Sequence, residues 1–321
     1  MTPPVTGPAN AGPPGQFLAA LTARAHLAGG FRYEQAGVGH KAVAAYEAAL
    51  DAAATPRERA EAHIRLARVY SAESEWAAAA HEARAAVRLA EEAGSDDLAA
   101  EAMNVEVGLH MLRGEFAAAD AVATAALTRA RSARVRGVLL QNRGSVSAQA
   151  RDFAAAGRFF SQSVAAFDEA GYELGMAFAL TNASAAARDA GDAAGALELA
   201  KRAAALARRL GAFDILTVAV QNQAQALVTL GHADEAEAPL GEVLGHFTAT
   251  CNVLRQAECL EVMGELYALR PRYDDTAARC FELAGTLAER VGARPLSERV
   301  SRRLADLRSA HRVAGPGDAE L

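Results

Sequence analysis

The amino-acid sequence predicts an all-α fold in which pairs of helices stack along a repeat array. Composition gives the first indication: 51% of the 321 residues are apolar but only 6% are aromatic, and much of the apolar content is alanine. Small side chains suit thin layers between closely packed helices better than one large core. The second indication is internal repetition at intervals of 37 or 40 residues, a period typical of solenoids.

The repeat is clearest in the middle of the chain, where an asparagine recurs at positions 142, 182 and 222. Nine residues after each asparagine the helical pattern is broken by three residues with Asp or His at the centre: Arg151-Asp152-Phe153, Gly191-Asp192-Ala193 and Gly231-His232-Ala233. Three residues beyond each break stands an alanine: Ala156, Ala196 and Ala236. In one phase throughout, repeats begin near residues 23, 60, 100, 137, 177, 217 and 257.

Looser versions of the break occur on both sides of this region. They are Gly37-Val38-Gly39, Ser74-Glu75-Trp76, Gly114-Glu115-Phe116 and, downstream, Pro271-Arg272-Tyr273. Apolar or small residues fall at helical spacing before and after each break, so each repeat is predicted to be two helices joined by a short turn. Alanine at the crossing point lets the two backbones approach closely.

The chain resembles the tetratricopeptide repeat family in the small and aromatic residues at its helix crossings. The residues that carry the resemblance are Gly30, Tyr33, Ala42, Tyr46 and Ala49, then Ala67, Tyr70, Ala79, Ala83 and Ala86, and finally Gly264 and Tyr267. Middle repeats depart from the signature, because Ser147, Ala187 and Leu227 stand where tyrosine is expected. The spacing is similar to the extended repeats of kinesin light chains, G-protein-signalling modulators and bacterial peptide-sensing regulators.

The resemblance covers about residues 17–312 and implies a right-handed α-solenoid of about seven helix-turn-helix repeats with a C-terminal capping helix. We expect a disordered leader rich in Pro and Gly over residues 1–16, the array over 17–294, the capping helix over 295–312 and a disordered tail over 313–321. The N-terminus lacks a secretory signal pattern and no apolar run is long enough for a membrane span, so a cytoplasmic protein is expected.

The recurring asparagines are the first candidate binding residues. In the families named above, an asparagine of the first helix faces the concave groove, and a carboxamide can hold both the N–H and the C=O of an extended peptide. Asn142, Asn182 and Asn222 are therefore predicted to form a peptide-binding ladder. Further candidates at the predicted groove phase are Arg65, Arg68, Asn104, Gln141, Arg188, Gln221 and Gln225. The alternative is structural, with each carboxamide tethering the backbone of the neighbouring repeat.

Charge gives two further expectations. Glu258, Glu261 and Glu265 are predicted to make one end of the groove acidic, which would orient a bound peptide, unless they are ordinary solvated residues. The arginines of LTRARSARVRG are interpreted as a solvated helix end, and those of the capping helix as the polar face that a solenoid cap needs. A phosphate or an acidic partner is the alternative for LTRARSARVRG, and nucleic acid is the alternative for the capping helix. A net charge of −6 disfavours broad binding to nucleic acid or membranes.

No residue pattern supports catalysis, a cofactor or a metal. The eight histidines and three cysteines lack metal-ligand spacing, and no phosphate-binding glycine loop or nucleophile motif occurs. The sequence therefore predicts a non-catalytic scaffold that binds an extended peptide or protein segment in its groove. The alternatives are a peptide-sensing regulator that acts through a partner, and a structural adaptor that self-associates, for example as a homodimer.

Overall fold

A computed structural model describes residues 14–270 and 273–313, which contain fifteen α-helices, one short 3-10 helix and no β-strand. The chain forms two compact units, Met1–Gly171 and Tyr172–Leu321. The first unit holds α1 (Pro14–Gln35), α2 (Gly39–Ala52), α3 (Pro56–Ala72), α4 (Trp76–Glu92), α5 (Asp96–Leu112), α6 (Phe116–Arg129), α7 (Ala133–Gln149) and α8 (Phe153–Glu169).

The second unit holds α9 (Glu173–Asp189), α10 (Ala193–Leu210), α11 (Phe213–Thr229), the 3-10 helix (Ala233–Ala236), α12 (Glu237–Ala249), α13 (Val253–Ala268), α14 (Asp274–Arg290) and α15 (Arg294–Val313). In both units an odd-numbered helix packs against the even-numbered helix that follows it, and the next odd-numbered helix packs against both. We call α1, α3, α5, α7, α9, α11 and α13 the first helices of their pairs.

These seven pairs and the final single helix α15 confirm the fold class predicted from the sequence, an all-α stack of tetratricopeptide-like helix pairs. Helix α1 begins at Pro14, inside the segment expected to be a leader, whose residues 1–13 lie outside the described ranges. Pro271 and Arg272 of the last predicted break, and residues 314–321 of the expected tail, also lie outside them. None of the described helices is both long and apolar enough to span a bilayer.

The breaks recognised in the sequence join the end of one helix to the start of the next. In the six breaks that lie within the described residues, the first residue adopts a left-handed conformation, which glycine favours, as at Gly191 with φ of 86°, although Arg151 adopts it too with φ of 64°. The central aspartates Asp152 and Asp192 then cap the next helix, because each side chain accepts a hydrogen bond of 2.9 or 2.8 Å from a backbone N–H three residues on. His232 provides no such cap, and a 3-10 turn follows it.

The core of each pair is thin because a small residue of the first helix lies directly under a side chain of the second. A Cβ atom added at Gly144 would lie 2.7 Å from the Phe160 ring, and one added at Gly264 would lie 2.6 Å from Phe281. Both aromatic rings are buried. Gly264 is one of the residues that carry the family resemblance, and Gly144 was not singled out by it; at both crossings the first helix has no room for a larger side chain.

Candidate functional site

The three recurring asparagines occupy three different environments. Asn222 on α11 is buried, with 6% of its surface exposed. Its Nδ2 donates to the backbone carbonyl of Thr181 on α9 at 3.0 Å, and its Oδ1 accepts from Nη1 of Arg188 at 3.4 Å. Both ends of this carboxamide are used within unit 2, so Asn222 has the structural tethering role and is not available to a ligand in this conformation.

Asn142 on α7 is half-buried, and its Nδ2 donates to Oδ1 of Asn104 on α5 at 2.7 Å. This bond joins two candidate residues and two first helices of unit 1, but it leaves the Oδ1 of Asn142 and the Nδ2 of Asn104 without a partner in the described residues. Asn142 and Asn104 are therefore partly used by the fold and keep one acceptor and one donor between them.

Asn182 on α9 keeps its whole carboxamide, because no side-chain hydrogen bond to it occurs within residues 14–270 and 273–313. The same holds for the side chains of Gln141 on α7 and Gln221 on α11, and all three residues are half-buried. Of the three asparagines, Asn182 alone has the free amide that the ladder hypothesis requires. The ladder stays a hypothesis at that position and does not describe Asn222.

A pocket of about 710 Å³ lies on the first-helix side of unit 2, between α11, α13 and α15. We call it the unit 2 pocket. Its apolar lining includes Val228, Val262, Leu266, Leu269, Phe281 and Leu307, and its polar lining includes Arg188, Gln225, Thr229, Glu265, Arg303 and Asp306. This volume and this mixture of an apolar floor with a few polar groups are typical of ligand sites. Two sequence candidates, Arg188 and Gln225, belong to it.

Arg188 links the unit 2 pocket to the asparagine tether. Its Nη1 donates to Oε1 of Gln225 and, at 3.4 Å, to Oδ1 of Asn222. Its Nε donates to Oδ1 of Asp189 at 2.9 Å, and its Nη2 lies 2.9 Å from the same oxygen. These contacts hold the planar group at the wall of the pocket. A ligand that contacts Arg188 or Gln225 therefore also contacts the network that joins α9 to α11.

The prediction that Glu258, Glu261 and Glu265 make one end of the groove acidic is wrong, because arginines pair with all three carboxylates. Glu261 is buried and accepts two hydrogen bonds from Arg299 of α15, at 2.5 and 2.7 Å. Arg303 of α15 lies 2.6 Å from Glu265, and Arg255 lies 2.8 Å from Glu258. At least two arginines of the capping helix thus pair with α13 instead of facing solvent alone.

Glu265 combines burial with a position in the unit 2 pocket. Burial raises the pKa of its carboxyl above the ordinary value, and the nearby guanidinium of Arg303 opposes this shift only in part. Perturbed carboxyls of this kind concentrate at functional sites. Spacing is the sequence signal that could have revealed the pairing of these glutamates with arginines of α15. Glu261 and Arg299 are 38 residues apart, as are Glu265 and Arg303, which is close to the length of one repeat.

Two other candidates, Arg65 and Arg68, line a separate pocket of about 460 Å³ in unit 1, which we call the unit 1 pocket. It lies between α1, α3 and α5 and also includes Phe31, Ile64 and Glu101. The guanidinium carbon of Arg65 lies 5.4 Å from the centre of the Phe31 ring, and Arg68 lies 3.4 Å from Glu101. The structure thus distributes the sequence candidates over two separate pockets and the asparagine pair.

The densest basic run, LTRARSARVRG, is largely neutralised within unit 1. Arg129 lies 2.6 Å from Glu91, Arg131 lies 3.1 Å from Asp96, and Arg136 makes two hydrogen bonds of 2.9 Å to Glu169.

Among the described residues, no group of three or more His, Cys, Asp or Glu side chains could hold a metal ion.

No protein-family model and no curated protein matches this chain. Solved structures do match it. A signal transduction ATPase with numerous domains and a tetratricopeptide repeat sensor, from Pyrococcus horikoshii, has a TM-score of 0.68 at 12% identity over 89% of this chain, which spans 46% of that protein. Aspartyl phosphate phosphatase F from Bacillus subtilis has a TM-score of 0.61 at 14% identity, over 85% of this chain and 72% of its own.

A Rap protein complexed with competence and sporulation factor has a TM-score of 0.50 at 14% identity, over 91% of this chain and 76% of its own. At these identities the likeness establishes the fold and nothing further. The chain has the fold of tetratricopeptide repeat proteins.

Proposed function

We propose that this protein is a non-catalytic scaffold that binds an extended peptide or protein segment on the first-helix face of unit 2. The observation that carries the proposal is the unit 2 pocket, where an apolar floor between α11, α13 and α15 is bordered by Arg188, Gln225 and Glu265. Leu269 at the edge of the pocket is 56% exposed. An apolar side chain from a partner would remove this leucine from water, at about 25 cal/mol per Å² buried.

An unpaired amide near the pocket suits the backbone of such a segment. Gln221 lies four residues before Gln225 on α11 and so shares its helix face. At a rise of about 1.5 Å per residue, its amide stands about 6 Å from Gln225 along the helix axis. A chain in extended conformation covers that distance in two or three residues. One side chain could therefore enter the pocket while the neighbouring backbone reaches a carboxamide.

The proposal is tested by selecting peptides from a displayed twelve-residue library on the full-length protein and measuring their affinity for two variants. Leu269→Arg places a charge at the mouth of the pocket and should weaken binding by at least tenfold. Leu283→Arg is the matched control, because Leu283 is 49% exposed and does not line the pocket. Equal affinity of both variants for every selected peptide would contradict the proposal.

A second candidate function is that of a regulator whose response is triggered by the bound segment. One observation favours it: Arg188 and Gln225 line the unit 2 pocket and also belong to the network that holds Asn222 and joins α9 to α11. Two of the similar structures are a tetratricopeptide repeat sensor and a Rap protein in complex with a factor. If binding rearranges this network, a selected peptide should change amide exchange in α9, which a passive scaffold would leave unaltered.

A further inference from the structure

The unit 1 pocket holds two guanidinium groups that are poorly paired by the fold. Arg65 and Arg68 stand three residues apart on α3 and so share one helix face. Arg65 contacts the Phe31 ring, and no ion pair to a carboxylate of the described residues occurs at its guanidinium. Arg68 has one long contact, 3.4 Å to Glu101. Glu61 also lines the pocket but pairs with Arg57 at 3.4 Å, so Glu101 is the one carboxylate of the described residues within ion-pair distance of Arg65 or Arg68.

Other arginines of the same unit show what complete pairing looks like here. Arg136 makes two hydrogen bonds of 2.9 Å to Glu169, and Arg143 makes bonds of 2.6 and 3.3 Å to Asp120. Arg143 satisfies its fork through Nε and Nη2, and Arg136 uses Nη2 for Glu169 and Nη1 for the Arg131 carbonyl, whereas a single contact at 3.4 Å leaves most donors of Arg68 open. Burial also lowers the pKa of Arg68, whose side chain keeps 36% of its surface exposed and so stays open to a ligand.

The walls of the pocket define what else a ligand must carry. Ile64 and Leu98 are almost fully buried at the base, while the Phe31 ring is 44% exposed. A free inorganic anion would pair with the arginines but would gain nothing from these apolar surfaces. A peptide with an acidic side chain beside an apolar one would use both. A guanidinium stacked on an aromatic ring also presents its edge to an incoming carboxylate.

We propose that the unit 1 pocket binds an acidic side chain of a partner peptide, held by Arg65 and Arg68, with an adjacent apolar side chain packed against Phe31. This site lies within unit 1 and shares no residue with the unit 2 pocket, so it goes beyond the function proposed for unit 2. Glu101 acts as the internal competitor for Arg68 and would be displaced as the ligand carboxylate enters.

The test is calorimetric titration of the full-length protein with the blocked peptide Glu-Leu-Glu-Ala-Glu and with its uncharged counterpart Gln-Leu-Gln-Ala-Gln. The acidic peptide should bind at least about tenfold more tightly than the neutral one, since charged hydrogen bonds decide the difference. Arg65→Gln combined with Arg68→Gln should remove this preference. Arg208→Gln, which breaks an exposed pair with Glu242 in unit 2, is the matched control and should retain it.

A variant that is expected to bind the acidic peptide more tightly completes the test, because a folding defect would weaken binding instead. Glu101→Gln removes the competing carboxylate, so it should bind the acidic peptide about threefold or more tightly. Three results would overturn the proposal: equal binding of the two peptides, an unchanged preference in the double arginine variant, or binding of inorganic phosphate without binding of the acidic peptide. Leu269→Arg should leave acidic-peptide binding intact, so failure of the unit 2 proposal would be recognised separately.

Discussion

Replacing Asn222 by alanine should destabilise unit 2, although alanine is the better helix former. The hydrogen bond to the Thr181 carbonyl contributes about 0.5–1.5 kcal/mol. A residual cavity of about 30 Å³ adds about 0.7 kcal/mol. The higher helix propensity of alanine offsets about 0.6 kcal/mol of this loss of stability. The free energy of local unfolding around α9 and α11 should therefore fall by about 1 kcal/mol relative to the unchanged protein.

Asn182→Ala is the matched comparison, because Asn182 stands at the same repeat position and makes no side-chain hydrogen bond within the described residues. Here only helix propensity changes, so the variant should be more stable by about 0.6 kcal/mol. The two substitutions are identical in chemistry, and their effects should differ in sign by about 1.5 kcal/mol in total.

Hydrogen–deuterium exchange measured on fragments of α9 and α11 reports these local free energies without requiring the whole chain to unfold in one step. Asn222→Ala should speed exchange by about fivefold and Asn182→Ala should slow it by about threefold. Equal changes at the two positions would refute the assignment of Asn222 as a tether between α9 and α11.

The helix crossings and the buried carboxyl give two more predictions. Gly144→Ala should destabilise unit 1 by about 1–3 kcal/mol in urea unfolding, because the new methyl group meets the Phe160 ring. Gly108 has open space around it, so Gly108→Ala should stabilise unit 1 by about 0.5–1 kcal/mol. Equal effects of the two substitutions would contradict this packing. Burial raises the pKa of Glu265, so its contribution is present below the ordinary glutamate pKa and is lost as pH rises through the raised value. An arginine hydrogen bond lowers the pKa of Glu242, whose contribution is present above the ordinary pKa and is lost as pH falls through the lowered value. Thermal melts of Glu265→Gln and Glu242→Gln between about pH 3 and about pH 7 should therefore diverge from the unchanged protein with opposite pH trends. Parallel trends would contradict the two environments.

The fold could be predicted from the sequence because its signals are local and repeated. The breaks combine a left-handed residue with an N-cap, as in Arg151 and Asp152, and both functions depend on residues within one turn. Small residues such as Gly30, Gly144 and Gly264 recur under aromatic rings at several crossings, since these pairs share the same packing geometry. Where one element of the pattern changes, as at His232, the structure changes with it.

The site could be predicted only in part, because it depends on contacts between repeats. The same asparagine has three outcomes: Asn222 is buried and bonded, Asn142 shares one bond, and Asn182 is free. The partner group about one repeat away differs, a backbone carbonyl with Arg188 for Asn222 and an amide side chain for Asn142, and the period alone does not specify it. The acidic end failed for the same reason, because Glu261 and its partner Arg299 are separated by a whole repeat.

The central claim is that a partner segment lies on the first-helix face of unit 2 with one side chain in the unit 2 pocket. It is tested most directly by placing a photo-cross-linking residue in a selected peptide and mapping its attachment by mass spectrometry. Attachment should occur on α11, α13 or α15, close to Leu269 or Leu307. Attachment confined to α10 and α12, which contribute no residue to the pocket, would contradict the account.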